Sequence, residues 1–535
     1  MKQRIKFLAW WFFPVILHSV YQLLMHGKRA YVMYDAAENT AFALIILLIL
    51  SILKGKWRSF VTRASYVMFI LTLLFEGLYY DIFATYFSSS ALFIFLETNT
   101  AEAFEFSESY LQPRMWTNVI IAVLMIFAFF KRSDAAQLKT IFKLPILIKV
   151  IAVILLGYLI KTSGYIIANV PYAILKSSFE YYQEKQKMQA YQVDRPEGNF
   201  ENVTAENSED QQIYVMVIGE STSRRHLGIY GYPRETTPNF KKKQDELLVY
   251  SDIVSTSATT IQSLKKALTL NNFKDPKQES TLIQLMNQAG FETHWISNQK
   301  PVGIYDSFVT QVAKASDHFT FTNSTIYSSV TPLDEVLLPH YKKALASDSE
   351  KVFIVVHLLG THSKYRYRYP EDFAHFEGKT PSKFQHQTAT ETVNHFDNAI
   401  RYVDHLIGEM IDQLKDQQAS SYLLYFSDHG DEVYDIRDFK GHNDDNPTPA
   451  MFEIPFVLWR SPSHQQQFPI AKDTARAGTI DHLIHSLSDL SDIRFERYQA
   501  GKSIFSKDYQ APEKRILGSQ KDEYEALKEK NDIRD

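Results

Sequence analysis

Three polar clusters follow directly on apolar runs in the second half of the chain. The run 213–218 leads into Gly219-Glu220-Ser221, the run 352–356 into His357 and then His362, and the run 422–426 into Ser427-Asp428-His429-Gly430. Carboxylates and imidazoles without any thiolate suit zinc, with manganese as the competitor. Asp428 and His429 offer an oxygen and a nitrogen side by side, Glu220 offers a second carboxylate, and His362 and His442 are further imidazoles on loops. A lone histidine is ordinarily a satisfied core or surface residue. Three clusters in equivalent places say more than one. Asp431, Glu432, Asp444 and Asp445 add acid nearby, as partners that orient the ligands or as solvated loop charges.

A cation of this kind needs a group to activate. Ser255-Thr256-Ser257-Ala258-Thr259-Thr260 supplies hydroxyls and then opens a helix over 261–268. A Thr at a helix start is ordinarily an N-cap, but free amides and the helix dipole also favour a phosphate there. A hydroxyl beside a divalent cation becomes a nucleophile at neutral pH. Spacing alone leaves Thr259 and Thr260 both open.

The elements that would position these groups are short apolar runs at 213–218, 291–296, 352–356, 422–426 and 455–459, with helical patterns between them. The clearest helix spans 396–414, with Phe396, Ile400, Val403, Ile407, Met410, Ile411 and Leu414 on one face. Buried strands alternating with helices predict an open α/β fold with a central, mostly parallel sheet. The carboxyl ends of such strands are where ligands bind.

The first 165 residues differ. Apolar segments run over 7–25, 40–53, 66–87, 116–130 and 144–160, and about 20 apolar residues span a bilayer. Five transmembrane helices are therefore expected, the second and fourth borrowing from their flanks. Nothing like a cleavage site follows the first, so a signal peptide is disfavoured. Lys2, Arg4, Lys6, Lys54, Lys56, Arg58, Arg63, Lys131, Arg132, Lys139, Lys143 and Lys149 fall on one side, and only Lys28, Arg29 and Arg114 on the other. The positive-inside rule puts the N-terminus in the cytoplasm and everything after Gly164 outside. The chain thus divides into a transmembrane domain at 1–165, an interfacial helix and flexible linker at 166–212, and a catalytic domain at 213–535. With a net charge of −4, no basic surface speaks for nucleic acid, and with no cysteine there is neither disulfide nor thiolate.

Val217-Ile218-Gly219-Glu220-Ser221 through Tyr230-Gly231-Tyr232-Pro233-Arg234-Glu235-Thr236-Thr237-Pro238 resembles the phosphoethanolamine transferases of Gram-negative inner membranes, in the sulfatase and alkaline-phosphatase superfamily. So do Glu97-Thr98-Asn99-Thr100-Ala101-Glu102-Ala103, His357-Leu358-Leu359-Gly360-Thr361-His362 and Ser427-Asp428-His429-Gly430. The likeness spans nearly the whole chain and is strongest to enzymes that decorate the lipopolysaccharide core. It implies Thr260 as nucleophile, with Thr259 the alternative, and Glu220, Asp428 and His429 as ligands of one tightly held zinc that also touches the Thr. It implies His362 and His442 at a second metal or the transferred group, with His362 as general acid. Thr98, Glu102, His357 and Lys300 are the implied substrate contacts. Departures are the missing disulfides, Lys300 three positions early with Gly303 in the aligned place, and Ile94 where the family has Asn.

The implied reaction takes phosphoethanolamine from phosphatidylethanolamine onto the Thr and then onto a lipopolysaccharide hydroxyl or phosphate, in ping-pong fashion. A glycerol-phosphate transferase or a phosphodiesterase would share the fold and the metal. A sulfatase would need a Cys or a Ser-x-Pro-x-Arg that is missing here. A non-enzymatic membrane scaffold would show broken ligands.

Overall fold

The computed structural model describes residues 2–26, 29–83, 87, 113–132, 143–163, 169–191, 193–205, 211–270, 280–299, 308–323 and 332–532. They fall into two units, one up to Tyr181 and one from Tyr182 on.

The described part of the first unit is helical: α1 (Lys2–His26), α2 (Arg29–Leu50), α3 (Gly55–Phe83), α4 (Pro113–Arg132) and α5 (Ile146–Ser163). The first four are long and apolar enough to cross a membrane. The fifth has 18 residues, about 27 Å at 1.5 Å per residue. Trp11, Tyr66, Phe69 and Phe129 pack at the centre, with the Tyr66 and Phe129 rings stacked 3.6 Å apart. Leu147, Ile154, Tyr158, Trp116 and Phe127 point outward, as side chains do when lipid rather than water is the solvent. The second span differs from the expectation of 40–53. It begins at Arg29 and carries Asp35, Glu38 and Asn39 buried within it. These polar residues hid the first half of the helix from a reading based on hydropathy. A further helix, α6 (Val170–Tyr191), occupies the stretch expected to lie at the interface.

The second unit is built on a seven-stranded sheet. Its strands are β1 (Gln212–Gly219), β2 (Leu247–Val249), β3 (Glu292–Ser297), β4 (His318–Phe321), β5 (Lys351–His357), β6 (Ser420–Ser427) and β7 (Phe456–Arg460). They lie in the order β2-β7-β6-β1-β5-β3-β4, and the five from β6 to β4 are mutually parallel. β7 runs antiparallel to both β6 and β2. Because side chains alternate along a strand, Ile213, Val215 and Val217 of β1 face one layer and Tyr214, Met216 and Ile218 the other. The first layer is closed by the long helix α8 (Gln387–Lys415), whose Val403, Ile407, Met410, Ile411 and Leu414 pack on the strands. The second is closed by helices that include α7 (Thr260–Ala267). Each fully buried aliphatic side chain here stabilises the fold by roughly 1.5–3 kcal/mol. Double-sided burial explains why these strands read as unbroken apolar runs.

Within the stretch expected to be a flexible bridge, the described residues 193–205 are held against the second unit's core. Val193 and Phe200 are buried, and Phe200 packs edge-on to Phe495 at 5.0 Å. The Gln284 side-chain amide donates to the Arg195 and Glu197 carbonyls at 2.9 and 3.0 Å. Gln288 donates to the Phe200 carbonyl and accepts from its N–H. The polar backbone here is satisfied by glutamines some ninety residues on.

Candidate active site

The strand register aligns the ends that matter. Ile218 of β1 and Ser297 of β3 both pair with His357 of β5, and Gly219 pairs with Ser427 of β6. Glu220, Asp428 and His429 therefore leave the sheet at one edge, and one ligand atom from each lies within 4.8 Å of the others. All three are buried. His429 Nε2 stands 3.5 Å from Glu220 Oε1 and 3.5 Å from Asp428 Oδ2.

Thr260 is the first residue of α7 and half-buried. Its hydroxyl lies 3.2 Å from each Glu220 oxygen and 3.5 Å from His429 Nε2. Thr259, in extended conformation at the N-cap, turns its hydroxyl to Ser257 at 3.2 Å instead. The step from strand-like to helical backbone between these neighbours is what sends their side chains apart.

The donor set fits a zinc-type cation. His429 Nδ1 donates to the Gly430 carbonyl at 2.8 Å, which leaves the Nε2 lone pair free for a ligand. Asp428 Oδ1 is taken by the Ser221 and His429 amides at 3.0 and 2.7 Å. Its Oδ2 is buried and has no hydrogen-bond partner. Ligands about 2.1 Å from a tetrahedral zinc stand roughly 3.4 Å apart, close to the 3.2–3.5 Å separations here. Electrostatics agree. Burial pushes Glu220 up, but the hydrogen bond and charge of His429 outweigh it and hold the carboxyl well below its usual range. Burial and then the Glu220 charge raise Asp428 to about 7. Burial lowers His429, yet Asp428 and Glu220 carry it up to about 10. Such competition for one proton is relieved when a cation takes its place.

The scaffold leaves little room. A side chain on Gly430 would overlap the Ala450 carbonyl oxygen, and one on Gly360 would meet Glu220 N at 3.1 Å. Gly360 also takes φ +52°, which favours glycine. The Asp334 carboxylate accepts from the Leu359 and Gly360 amides and holds that loop. On the loop before Thr260, the Asp444 carboxylate accepts from Ala258 N and Ser257 Oγ, both at 2.7 Å, and ties that loop down.

The other expected residues divide. His442 lies beside His429, ring centroids 4.3 Å apart, and is held by Asp431 at 3.2 Å. His362 has a buried Nδ1 without a partner, and burial lowers its pKa to about 4 against the pull of Glu220. His357 ends β5, fully enclosed, with neither ring nitrogen hydrogen-bonded; burial brings it to about 4 as well. Thr98, Glu102 and Lys300 lie outside the described residues. Gln299, just before Lys300, was missed by the sequence reading. Its amide donates to Glu220 Oε2 at 3.2 Å and to the Leu358 carbonyl at 3.0 Å. It follows β3 as the other site residues follow their strands, and that placement was the signal.

Residues 212–493 match the family model described as Sulfatase. A curated Escherichia coli protein, phosphoethanolamine transferase EptC, is 32% identical over 461 residues, covering 81% of this chain and 80% of its own. The crystal structure of the C-terminal periplasmic domain of the E. coli protein in complex with Zn is 34% identical. It superposes with a TM-score of 0.59 over 62% of this chain and 97% of that domain. The integral membrane lipooligosaccharide phosphoethanolamine transferase A of Neisseria meningitidis superposes with a TM-score of 0.67 over 95% of this chain and 99% of its own. At 19% identity that likeness is one of fold, helices and sheet together.

Proposed function

The chain belongs to the sulfatase family and within it to the phosphoethanolamine transferases; from that premise we propose that it moves phosphoethanolamine from phosphatidylethanolamine to lipopolysaccharide, core heptose ahead of lipid A, through a covalent intermediate on Thr260. It is an inner-membrane enzyme. In this reading its N-terminus is cytoplasmic and its catalytic unit periplasmic.

One observation carries the chemistry. The Thr260 hydroxyl is the alcohol held by both Glu220 oxygens at the point where Asp428 and His429 converge. Glu220, Asp428 and His429 would hold one zinc, which when bound favours the ionised hydroxyl and offsets phosphoryl charge. His442 stands ready for a second ion or for the transferred group.

Glu220 orients the Thr260 Oγ–H, whose proton passes on to solvent because so acidic a carboxylate does not keep it. The oxygen attacks phosphorus in line, and the bond from phosphorus to the diacylglycerol oxygen breaks. At the start of α7 the free amides favour the crowded oxygens. His362, uncharged at neutral pH because it is buried, takes up a proton from solvent as phosphoryl charge arrives and gives that proton to the leaving oxygen. The acceptor oxygen then repeats the attack from the vacated side and restores Thr260. Gln299 and the Asp334 clamp keep Glu220 and its neighbouring loop from drifting between the two steps.

The donor is tested by giving the purified full-length protein phosphatidylethanolamine and phosphatidylglycerol in separate reactions. Diacylglycerol release from the first alone is expected. Release from phosphatidylglycerol alone would make it a glycerol-phosphate transferase. The acceptor is tested by mass spectrometry of lipopolysaccharide from cells with and without the gene, the core carrying the lost group.

A further inference from the structure

The membrane unit contains a second cluster of the same kind. His18 of α1, Asp35 of α2 and Glu76 of α3 each offer a ligand atom within 4.8 Å of the others, and all three are at least nine-tenths buried. His18 Nε2 lies 3.5 Å from Asp35 Oδ2 and 3.5 Å from Glu76 Oε1, the separations found between His429 and its two carboxylates. Gln22 Nε2 stands 3.0 Å from the same His18 nitrogen. Asn39 donates to Asp35 Oδ1 at 2.9 Å and to Glu76 Oε1 at 3.4 Å.

Two facts separate this cluster from an ordinary ion pair. First, with both carboxylates ionised the charges do not balance. Two carboxylates face at most one imidazolium, and no lysine or arginine among the described residues pairs with either. In a medium where charge is costly, ionisable groups are retained for a purpose. A divalent cation with neutral imidazole would bring the sum to zero. Second, acceptors are left over. Asp35 Oδ2, Glu76 Oε2, Gln22 Oε1 and Asn39 Oδ1 are buried without a hydrogen-bond partner. Four oxygens left without a hydrogen bond on four side chains of one buried cluster call for a cation, since a buried acceptor is costly to leave unmet. A third group, Glu292, His294 and His318, lacks this character. There Glu292 Oε1 is met by both histidines and Oε2 by Ser347.

The cluster also adjoins open space at His18. A cavity of about 110 Å³ is lined by His18, Tyr21, Gly77, Asn118 and apolar residues of α1, α3 and α4. His18 packs over Gly77, where even a methyl would sit 3.4 Å from its Cε1. His18, Asp35 and Glu76 lie eight, six and seven residues from the ends of their helices. At 1.5 Å per residue that is about 9–12 Å along each axis, so the three meet at one level.

We infer that His18, Asp35 and Glu76, with oxygens from Gln22 and Asn39, form a second cation site that takes a divalent ion of the zinc and manganese kind. The site is separate from the transfer chemistry, and its test does not depend on it. Full-length Asp428→Asn protein, in which the catalytic centre is disabled, is stripped with chelator in detergent and reloaded with zinc chloride or manganese chloride. Bound metal is counted by elemental mass spectrometry and the thermal midpoint is recorded with and without the ion. Uptake should fall by about one equivalent when His18→Gln or the isosteric Glu76→Gln is added. The metal-dependent rise in the midpoint should vanish with it. Equal uptake with and without these changes overturns the inference. So does a parent Asp428→Asn protein that takes up no ion and whose midpoint no ion raises, because the cluster is then a structural ion pair or shares only a proton. If one variant fails to fold, the other decides.

Discussion

One imidazole and two carboxylates meet twice in this molecule, once past the ends of β1 and β6 and once in the middle of three helices, with the same 3.5 Å between nitrogen and each oxygen. The surroundings differ in what the backbone can give. Loops after strands have amides to spare, and Asp428 takes two of them. Inside a helix each amide is already bonded four residues back, so Gln22 and Asn39 supply side-chain amides instead. Past the strands a helix start also delivers a hydroxyl, Thr260. Among the described residues nothing comparable reaches His18. Ser19 and Tyr21 come near in sequence, but their hydroxyls donate to the Val15 carbonyl and to Asp81. The first cluster has a hydroxyl to activate, whereas the second offers only ligand atoms.

That contrast is broken most sharply by substitution. Thr260→Ala and Asp428→Asn should each lower diacylglycerol release by about a thousandfold or more, while His18→Gln stays within about tenfold of wild type. An equal loss from His18→Gln would tie the two clusters together. Next in size, Gln299→Ala should cost roughly 10–100-fold in zinc affinity at the catalytic centre, the range for a residue that positions a ligand. Competition titration against a chromophoric chelator measures it.

A third test uses pH, in the His18→Gln protein so that only the catalytic centre is read. Because the protonated form of His429 is favoured up to about pH 10, a cation binding near pH 7 must expel a proton. Apparent affinity should then rise about tenfold per pH unit for each proton released. A flat profile between pH 7 and 8 would mean that His429 is not a ligand. The smallest effect is expected at Gly77. Gly77→Ala meets the His18 ring at van der Waals distance and should change stability by less than about 1 kcal/mol, read as a small shift in thermal midpoint.

The two clusters were not equally legible. Glu220, Asp428 and His429 each follow an apolar run at once, so the strand-end rule of parallel sheets brings them together without coordinates. Thr259 against Thr260 was open, because one residue of helix phase decides it and spacing does not record phase. Gln299 obeyed the same rule but was passed over for the charged residue beside it. The membrane cluster left no such trace. His18, Asp35 and Glu76 come from three helices at unrelated intervals. Asp35, Glu38 and Asn39 also lowered local hydropathy enough to make α2 look as though it began at residue 40. Polar residues that satisfy one another in pairs read as a loop when taken singly. The bridge at 193–205 misled for the same reason, its partners Gln284 and Gln288 lying far along the chain.

The proposed mechanism turns on a covalent group at Thr260. Full-length protein is incubated with phosphatidylethanolamine and no acceptor, quenched in acid, digested and mapped by tandem mass spectrometry. One phosphoethanolamine on Thr260, lost in Thr260→Ala and discharged when lipopolysaccharide is added, is the predicted result. Turnover that continues with the group on Thr259, or with none on the enzyme at any time, would contradict it.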